Sequence, residues 1–199
     1  MAVVNYLLRR LVNFYFKAYT LCVRHRFRIL QTYLDPRLEV TNPQCVSIGY
    51  GVIIRPFVWI YAITDDQEHK QVFAPSIEIG NYCSIGRFSH ITASNYVKLE
   101  DYVFVNEGVL ITDSIHGYHD IKTPIIKQRL ISRGPIVIGS GTWVGNGAKI
   151  VGEVRIGRNC VVGANAFVNR DVPDYCMVVG IPGRIVRRFD PELQKWVAV

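Results

Sequence analysis

The sequence lacks the cysteine and histidine spacings that mark disulfide frameworks and metal sites. Its five cysteines are scattered singly, without a CxxC pair, and the histidines do not lie at ligand spacing from them or from one another. An odd, dispersed set of thiols is typical of a reducing, cytoplasmic environment. We therefore expect neither a disulfide nor a bound metal.

Long apolar runs are also missing. No stretch of about 18 apolar residues occurs, because Arg9, Arg10 and Lys17 interrupt the one candidate. No apolar segment is followed by a small-residue cleavage site, so a signal peptide is not expected. These absences favour a cytoplasmic protein over an exported or membrane-spanning one.

Acidic residues are absent from residues 1–34, a segment that holds six basic ones: Arg9, Arg10, Lys17, Arg24, Arg26 and Arg28. The segment carries +6 of a formal net charge of +7, which leaves about +1 for the rest of the chain. A nearly neutral body does not favour an extended nucleic-acid surface. Any feature that seeks an acidic partner therefore lies at the N-terminus.

Residues 1–34 are predicted to form a basic amphipathic helical segment. Leu7, Leu8 and Leu11 belong to a broad apolar face, and Arg10 and Lys17 belong to a polar stripe at helical spacing. This face is expected either to pack on the rest of the protein or to lie on an anionic membrane surface. The two alternatives can coexist.

A period of six residues runs through most of the remaining chain. Steps of six from one aliphatic residue to the next connect Ile48, Ile54 and Ile60; Ile79, Ile85 and Ile91; Leu99, Val105 and Ile111; and Ile138, Val144, Ile150, Ile156, Val162 and Val168. The residue four places after each is mostly small or β-branched, and glycine often follows the aliphatic residue. The pattern predicts a parallel β-helix in which three units close one coil.

The alternative fold, an all-β sandwich, would require alternation of period two and a turn about every 8–12 residues. The strict sixes argue against it, and we expect the β-helix to span residues 35–188. Cys83 and Cys160 lie at the small inward position of the unit, so they are expected to fill the core rather than to react.

Two segments, residues 66–78 and 113–135, interrupt the period. Loops that leave a rigid scaffold are where functional side chains concentrate. His116 lies three residues into the extended loop at 113–135, close enough to the last strand to be held in place. Asp113 could orient its ring, and His119 follows within reach.

The C-terminus carries a helix-start signal, since Asp190 can cap a helix whose first turn contains Pro191. We expect residues 189–199 to form a short C-terminal α-helix. Such a helix would cover the open end of the coil, where strand edges would otherwise be unpaired.

The chain resembles the hexapeptide-repeat acyltransferases, whose fold is a left-handed parallel β-helix. It looks most like the sugar O-acetyltransferases of bacterial surface-polysaccharide pathways, relatives of galactoside and maltose acetyltransferases. The resemblance covers roughly residues 46–188 and depends on the motifs ITDSIHGYHD, IGSGTWVGNGAKI, IGRNCVVGANAFVNRDVP and VVGIPGRIVRR. The left hand of the coil is implied by this resemblance alone.

The resemblance implies that His116 is the catalytic general base. Many relatives have TDHxHG where this chain has Ser114 in place of the first histidine, which leaves His116 as the base at that point. Trp143 is turned outward by the register and is expected either to form a wall of the active site beside His116 of an adjacent subunit or to pack in an interface. Asn106 and His119 are weaker candidates for contacts to the acceptor.

The resemblance also implies contacts to acetyl-CoA for six residues: Asn146, Ala164, Asn169, Arg170, Arg184 and Arg187. Ala164 and Asn169 would bind the pantetheine arm through backbone groups. Arg184 and Arg187 would pair with phosphates, whose geometry suits guanidinium groups; the alternative is a solvated basic tail. Relatives often have serine in place of Asn146 and Thr-Lys at 169–170, so these contacts differ here.

Acetyl transfer from a thioester to a hydroxyl requires a base near neutral pH, which an imidazole supplies. No serine or cysteine forms a triad-like set with His116, so direct transfer is favoured over an acyl-enzyme, with Ser114 as the nearest alternative nucleophile. The predicted activity is therefore an acetyl-CoA-dependent O-acetyltransferase acting on a sugar hydroxyl of a surface polysaccharide or its lipid-linked precursor. The alternative is an N-acetyltransferase acting on a nucleotide-linked amino sugar.

Two non-transferase alternatives are a β-helix scaffold and a metal protein resembling γ-carbonic anhydrase. The histidine spacing disfavours the latter, and a scaffold would not explain His116, Trp143 and the basic tail together. The resemblance further implies a homotrimer with active sites between subunits, since the flat faces of a β-helix pack readily around a threefold axis. We expect a glycan acceptor, no nucleic acid, and a cytoplasmic location, with peripheral contact at the inner face of the membrane through residues 1–34.

Overall fold

The computed structural model describes residues 32–199. The predicted helix within residues 1–34 therefore lies almost entirely outside the described residues. The described part is nearly all β, with two short 3-10 helices at Pro43–Cys45 and Ile125–Lys127. None of its helices is long and apolar enough to cross a bilayer.

The strands of the first half of the described chain are short, and most contain two to four residues. In chain order they are β1 (Tyr33–Leu34), β2 (Glu39–Thr41), β3 (Val46–Ile48), β4 (Ile53–Ile54), β5 (Trp59–Ala62), β6 (Asp65–Asp66), β7 (Gln71–Val72), β8 (Ser76–Ile79), β9 (Ser84–Ile85), β10 (His90–Ala93), β11 (Tyr96–Leu99), β12 (Phe104–Val105) and β13 (Leu110–Thr112).

The second half continues the same arrangement and ends in a longer strand pair. Its strands are β14 (Ser114–His116), β15 (Leu130–Ser132), β16 (Ile136–Ile138), β17 (Trp143–Val144), β18 (Lys149–Val151), β19 (Val154–Ile156), β20 (Val161–Val162), β21 (Phe167–Val168), β22 (Cys176–Val179), β23 (Arg184–Asp190) and β24 (Lys195–Ala198).

Three sheets form the faces of a parallel β-helix, as the repeat predicts. Their strand orders are β1-β4-β9-β12-β17-β20-β22-β23-β24, β2-β5-β10-β13-β18-β21 and β19-β16-β11-β8-β3. The aliphatic residues that recur every six positions, here called the hexad residues, stack directly on one another. Val105 pairs with Val144, and Val144 pairs with Val162, which lies three six-residue units after it. Each strand therefore adds one rung to a face, and the period of six sets the register.

The hexad side chains fill the interior. Ile54, Ile85, Val105 and Val144 are fully buried. Cys83 is also buried in the core, as predicted, and its thiol donates to the Glu100 carbonyl at 3.0 Å. Burial raises the pKa of Cys83 to about 11, which disfavours the thiolate, the reactive form of the side chain.

Two hairpins project from the coil where the period breaks. The first pairs β6 with β7, and the second pairs β14 with β15, both antiparallel. Thr64 and Asn95, which the period places at the small inward position, are not buried. Both belong to the corner of the coil from which the hairpins leave, so the hexad rule fails where the chain departs from it.

The predicted C-terminal helix over residues 189–199 is wrong. β23 pairs with β22 and β24 pairs with β23, both antiparallel, so the segment extends a sheet edge. The Asp190 carboxylate does cap the next residues, accepting from the N–H groups of Glu192 and Leu193 at 2.9 and 3.0 Å. The cap begins a tight turn rather than a helix, because the exposed β22 edge recruits a strand and Trp196 packs against Phe189 across the pair.

The outward side of the long nine-stranded sheet is apolar. Phe104 and Trp143 lie on successive rungs, and Ile53 lies two rungs before Phe104 with Ser84 between them. Ile53, Phe104 and Trp143 are each at least one third exposed. Exposed aromatic rings flank this side at the turns, where Tyr82 stacks on Tyr102 with ring centroids 5.1 Å apart. An apolar face of this extent is typical of a surface that another protein surface covers.

Candidate functional site

His116 lies on the β14–β15 hairpin, opposite Leu130. The backbone bonds from Arg133 N–H to the Asp113 carbonyl (2.7 Å) and from Gly117 N–H to the Arg129 carbonyl (2.9 Å) fix the ladder. Because hydrogen-bonded and non-hydrogen-bonded pairs alternate in antiparallel strands, His116 and Leu130 form a non-hydrogen-bonded pair. Their side chains therefore lie close together on one face of the hairpin.

The imidazole of His116 is exposed and forms no hydrogen bond with any described residue. In its neutral form the ring therefore keeps one nitrogen lone pair free. A ring in this state can accept a proton from a molecule bound beside it, which is the property a general base requires.

A cavity of about 430 Å³ lies between the two hairpins and includes His116. Its lining is Tyr61, Ile63, Asp65, Asp66, Gln67, Glu68, His69, His116, Ile126 and Leu130. The first hairpin contributes carboxylates to one side, and the second contributes His116 and apolar side chains. The cavity thus combines a free base with acceptors for hydroxyl or ammonium groups.

His69 is the second histidine of this cavity, and it is already engaged. Its Nδ1 lies 2.6 Å from Oδ2 of Asp66, and both side chains are about 15% exposed. This bond raises the pKa of His69; burial opposes the rise, and the carbonyl of Lys127 adds to it. Burial alone would raise the pKa of Asp66, but the hydrogen bonds from His69 lower it. His69 is thus engaged by Asp66, which favours its protonated form, whereas His116 has no such partner among the described residues.

The predicted role of Asp113 as the group that orients His116 is wrong. The side chain is fully buried, and its carboxylate accepts from the N–H groups of Ser94, Asn95 and Tyr96 at 2.7–2.9 Å and from the Ser94 hydroxyl at 3.1 Å. Burial raises its pKa against these bonds. Asp113 fastens one coil to the next at the corner where the hairpin leaves, and it makes no bond to the imidazole.

Asn106 and Trp143 are brought together on the outward side of the nine-stranded sheet. The indole Nε1 donates to Oδ1 of Asn106 at 3.2 Å. Neither residue lines the cavity of its own chain. His119 is exposed at the tip side of the second hairpin, where its ring lies 4.6 Å from that of Tyr118.

The residues predicted to contact the coenzyme lie on the C-terminal coils and are all exposed: Asn146, Ala164, Asn169, Arg170, Arg184 and Arg187. The Asn146 carbonyl accepts from Asn165 N–H at 2.8 Å, which stacks the turns of consecutive coils. Gly145 lies against the backbone of Ala164, where a side chain would clash. None of the six lines the cavity within one chain.

Sequence reasoning missed the contribution of the first hairpin to the site. Asp66 and His69 of this hairpin, and Tyr61 of the preceding strand β5, belong to no motif, although residues 66–78 interrupt the repeat. Their polar composition is the one signal that could have drawn attention to them. Within residues 32–199 no group of three or more potential ligands is arranged to hold a metal ion.

Comparison with protein families finds the bacterial transferase hexapeptide (six repeats) over residues 135–170. The probable acetyltransferase Rv3034c of Mycobacterium tuberculosis is 33% identical over 165 residues, which cover 76% of this chain and 54% of that protein. The chain belongs to the hexapeptide-repeat transferase family. The putative lipopolysaccharide biosynthesis O-acetyl transferase WbbJ of Escherichia coli is 25% identical over 62% of this chain and 63% of its own length.

Solved structures share the fold of this hexapeptide-repeat protein. AntD, an N-acyltransferase from Bacillus cereus in complex with dTDP and 3-hydroxybutyryl-CoA, superposes with a TM-score of 0.68 at 17% identity, over 86% of this chain and 88% of AntD. The acetyltransferase domain of PglB from Neisseria gonorrhoeae, in complex with acetyl coenzyme A, gives 0.56 at 16% identity, over 78% and 58%. The repeat and the shared fold fit the predicted left-handed β-helix.

The chain spans 54% and 63% of the length of these two curated relatives. The likeness to the solved structures concerns the fold, since identity there is below 20%. The cavity that contains His116 is therefore the feature of this hexapeptide-repeat chain that bears on its function.

Proposed function

We propose that the protein is an acetyl-CoA-dependent O-acetyltransferase that acts on a sugar hydroxyl, with His116 as the general base. The observation that carries the proposal is the unpartnered imidazole of His116 in a cavity lined by carboxylates. The probable and putative acetyltransferases among its relatives support the reaction class.

In the proposed reaction the acceptor hydroxyl loses its proton to the imidazole while its oxygen attacks the thioester carbonyl. The tetrahedral intermediate collapses, the C–S bond breaks, and the thiolate of CoA takes the proton back from the imidazolium. The products are an acetyl ester and free CoA. No outside oxidant or metal enters this balance.

The described side chains support direct transfer rather than an acyl-enzyme. Ser114 is buried, and its oxygens lie 3.0 and 3.5 Å from the Thr112 hydroxyl. Cys83 and Cys160 are buried in the core, where burial raises both thiol pKa values. None of these three residues offers an accessible nucleophile to the thioester.

The six exposed residues of the C-terminal coils remain our candidates for holding acetyl-CoA. Arg184 and Arg187 would pair with phosphates, and backbone groups at Ala164 and Asn169 would bind the pantetheine arm. Since these residues do not line the His116 cavity of their own chain, we propose a homotrimer in which one subunit supplies the base and its neighbour holds the coenzyme. The exposed apolar side at Phe104 and Trp143 supports burial by a second copy.

N-acetylation of a nucleotide-linked amino sugar is the second candidate. Asp65 and Glu68 line the cavity and would attract an ammonium group as readily as they would accept from hydroxyls. Their charge disfavours the phosphates of a nucleotide in the same space. We therefore rank the hydroxyl of a glycan or of its lipid-linked precursor above the amine.

The test is to incubate the full chain with acetyl-CoA and a panel of glycans and nucleotide-linked amino sugars while following release of the CoA thiol. We expect thiol release with a glycan and a product that loses its acetyl group in mild alkali, as esters do. An alkali-stable product would indicate an amide and the second candidate. Absence of acceptor-dependent thiol release across the panel would contradict both and favour a scaffold.

A peripheral position at the inner face of the membrane is part of this proposal and depends on the basic segment 1–34. Lipid surfaces with anionic headgroups attract such segments. Co-sedimentation of the full chain with anionic and neutral vesicles tests it, and we expect binding to the anionic vesicles that residues 32–199 alone, which keep β1, do not show. Equal behaviour of both chains would remove the membrane contact from the proposal.

A further inference from the structure

The two hairpins are joined by a side chain that imitates a strand. The carboxamide of Gln71 donates from Nε2 to the Leu130 carbonyl at 3.0 Å and accepts from Leu130 N–H at Oε1 at 2.8 Å. Gln71 thereby satisfies both backbone groups of one residue, although it is 59 residues away in the chain. This is the pattern of hydrogen bonds that a neighbouring strand would make.

The register of the second hairpin explains why Leu130 has both groups free for Gln71. In the pair that His116 forms with Leu130, the backbone groups point away from the partner strand. The Leu130 N–H and carbonyl therefore face the first hairpin, where the carboxamide meets them. Gln71 thus fixes the backbone position directly across the ladder from His116.

A second contact between the two hairpins lies near the start of β15. The His69 imidazole, bonded to Asp66 at 2.6 Å, also faces the carbonyl of Lys127. The 3-10 helix Ile125–Lys127 leads into β15, so both contacts act on the strand opposite His116.

We propose that Gln71 is a positioning residue for His116: by pinning Leu130 it holds the β14–β15 hairpin, and hence the imidazole, at a fixed place in the cavity. The inference rests on the proposed function for its catalytic consequence and on the contacts alone for its structural one. Gln71 does not itself touch the reacting atoms. Its two hydrogen bonds, rather than its volume, are what the hairpin requires.

Two substitutions of Gln71 distinguish the effect of its hydrogen bonds from the effect of its size and shape. Gln71→Ala removes both bonds, and Gln71→Glu keeps the size but replaces the donor with an oxygen that repels the Leu130 carbonyl at neutral pH. Val72→Ala is the matched control, because Val72 is the next residue of β7 and is 86% exposed. The purified full chain is used throughout.

The first readout is independent of activity: the rate at which trypsin cuts the second hairpin after Lys122, Lys127 or Arg129. We expect faster cutting in both Gln71 variants and no change in Val72→Ala, with an unchanged temperature of global unfolding. Wild-type cutting rates in both Gln71 variants would overturn the proposal. A wild-type cutting rate in Gln71→Glu together with faster cutting in Gln71→Ala would also overturn it. That result would indicate that the volume of the side chain, and not its hydrogen bonds, holds the hairpin.

The second readout is steady-state acetyl transfer with the acceptor found in the panel. We expect kcat to fall about 10- to 100-fold in both variants, because a small displacement of a catalytic group lowers the rate by such factors. KM for acetyl-CoA should stay within about twofold. An unchanged kcat in a loosened hairpin would overturn the positioning role. If the wild type itself shows no transfer, the proposed function fails, but the trypsin result still decides whether Gln71 holds the hairpin.

Discussion

The coil and the pair of hairpins are stabilised by different physical means, although they meet within three residues. Asp113 belongs to the coil, is fully buried and accepts four hydrogen bonds, whereas His116 belongs to the second hairpin, is exposed and accepts none from the described residues. The coil depends on apolar burial and saturated polar groups. The hairpins depend on a few polar side chains, among them Gln71 and His69.

This contrast separates stability from chemistry along the chain. Changes in the coil should lower the free energy of unfolding and leave the reaction of the folded molecules intact. Changes in the hairpins should alter the reaction and leave the unfolding free energy nearly intact. Two substitutions and one change of pH test this separation.

The largest effect is expected from His116→Ala. Loss of a positioned general base lowers the rate by about 10²–10⁴-fold, and because the side chain is exposed we expect little change in stability. Acceptor-dependent thiol release and thermal unfolding, measured on the same preparation, check this. The substitution His119→Ala is the comparison, since its side chain is also an exposed histidine of the same hairpin. Turnover by His116→Ala at the wild-type rate would refute the assignment of the base.

A smaller effect, on stability, is expected from Asp113→Asn. Whichever way the new carboxamide turns, its NH₂ group faces a backbone N–H of Ser94, Asn95 or Tyr96, and a buried unsatisfied donor costs about 1–3 kcal/mol. Denaturant unfolding measures the loss, with exposed Asp171→Asn as the control, since Asp171 accepts a single backbone bond from Arg155. Loss of turnover at unchanged stability would instead return Asp113 to the catalytic set.

The smallest effect concerns pH and the attachment of the second hairpin. The pKa of His69 is raised above its ordinary value, so its contribution is fully present below the ordinary pKa and is lost as the pH rises through the raised value. We expect the hairpin to be cut faster by trypsin above that pH, after correction with an unstructured reference peptide. His69→Gln should abolish this pH dependence. A dependence that persists in the variant would show that another group is responsible.

Most of the fold can be predicted from the repeat, because each six-residue unit contains the inward aliphatic residue that defines one short strand of the coil. Ile138, Val144 and Ile150 follow one another at the period and are buried in stacked strands. The C-terminal segment was mispredicted because Asp190 followed by proline is compatible with both a helix cap and a tight turn. Only the open edge of β22, a tertiary feature, favours the strand.

The site could be predicted only in part, for a related reason. His116 stands out because it lies at the start of a break in the repeat. Gln71 and His69 act across the space between two hairpins, and no local spacing connects them to Leu130 and Lys127. Asp113 was assigned to His116 because it is near in sequence, whereas its carboxylate is committed to the preceding coil.

The most direct test is a crystal structure of the full chain with CoA bound, in the oligomer that forms in solution. We expect the His116 imidazole to lie beside the sulfur of CoA, in the cavity between the two hairpins, with the coenzyme held by a neighbouring subunit. A CoA sulfur remote from His116 in every pairing of subunits would contradict it.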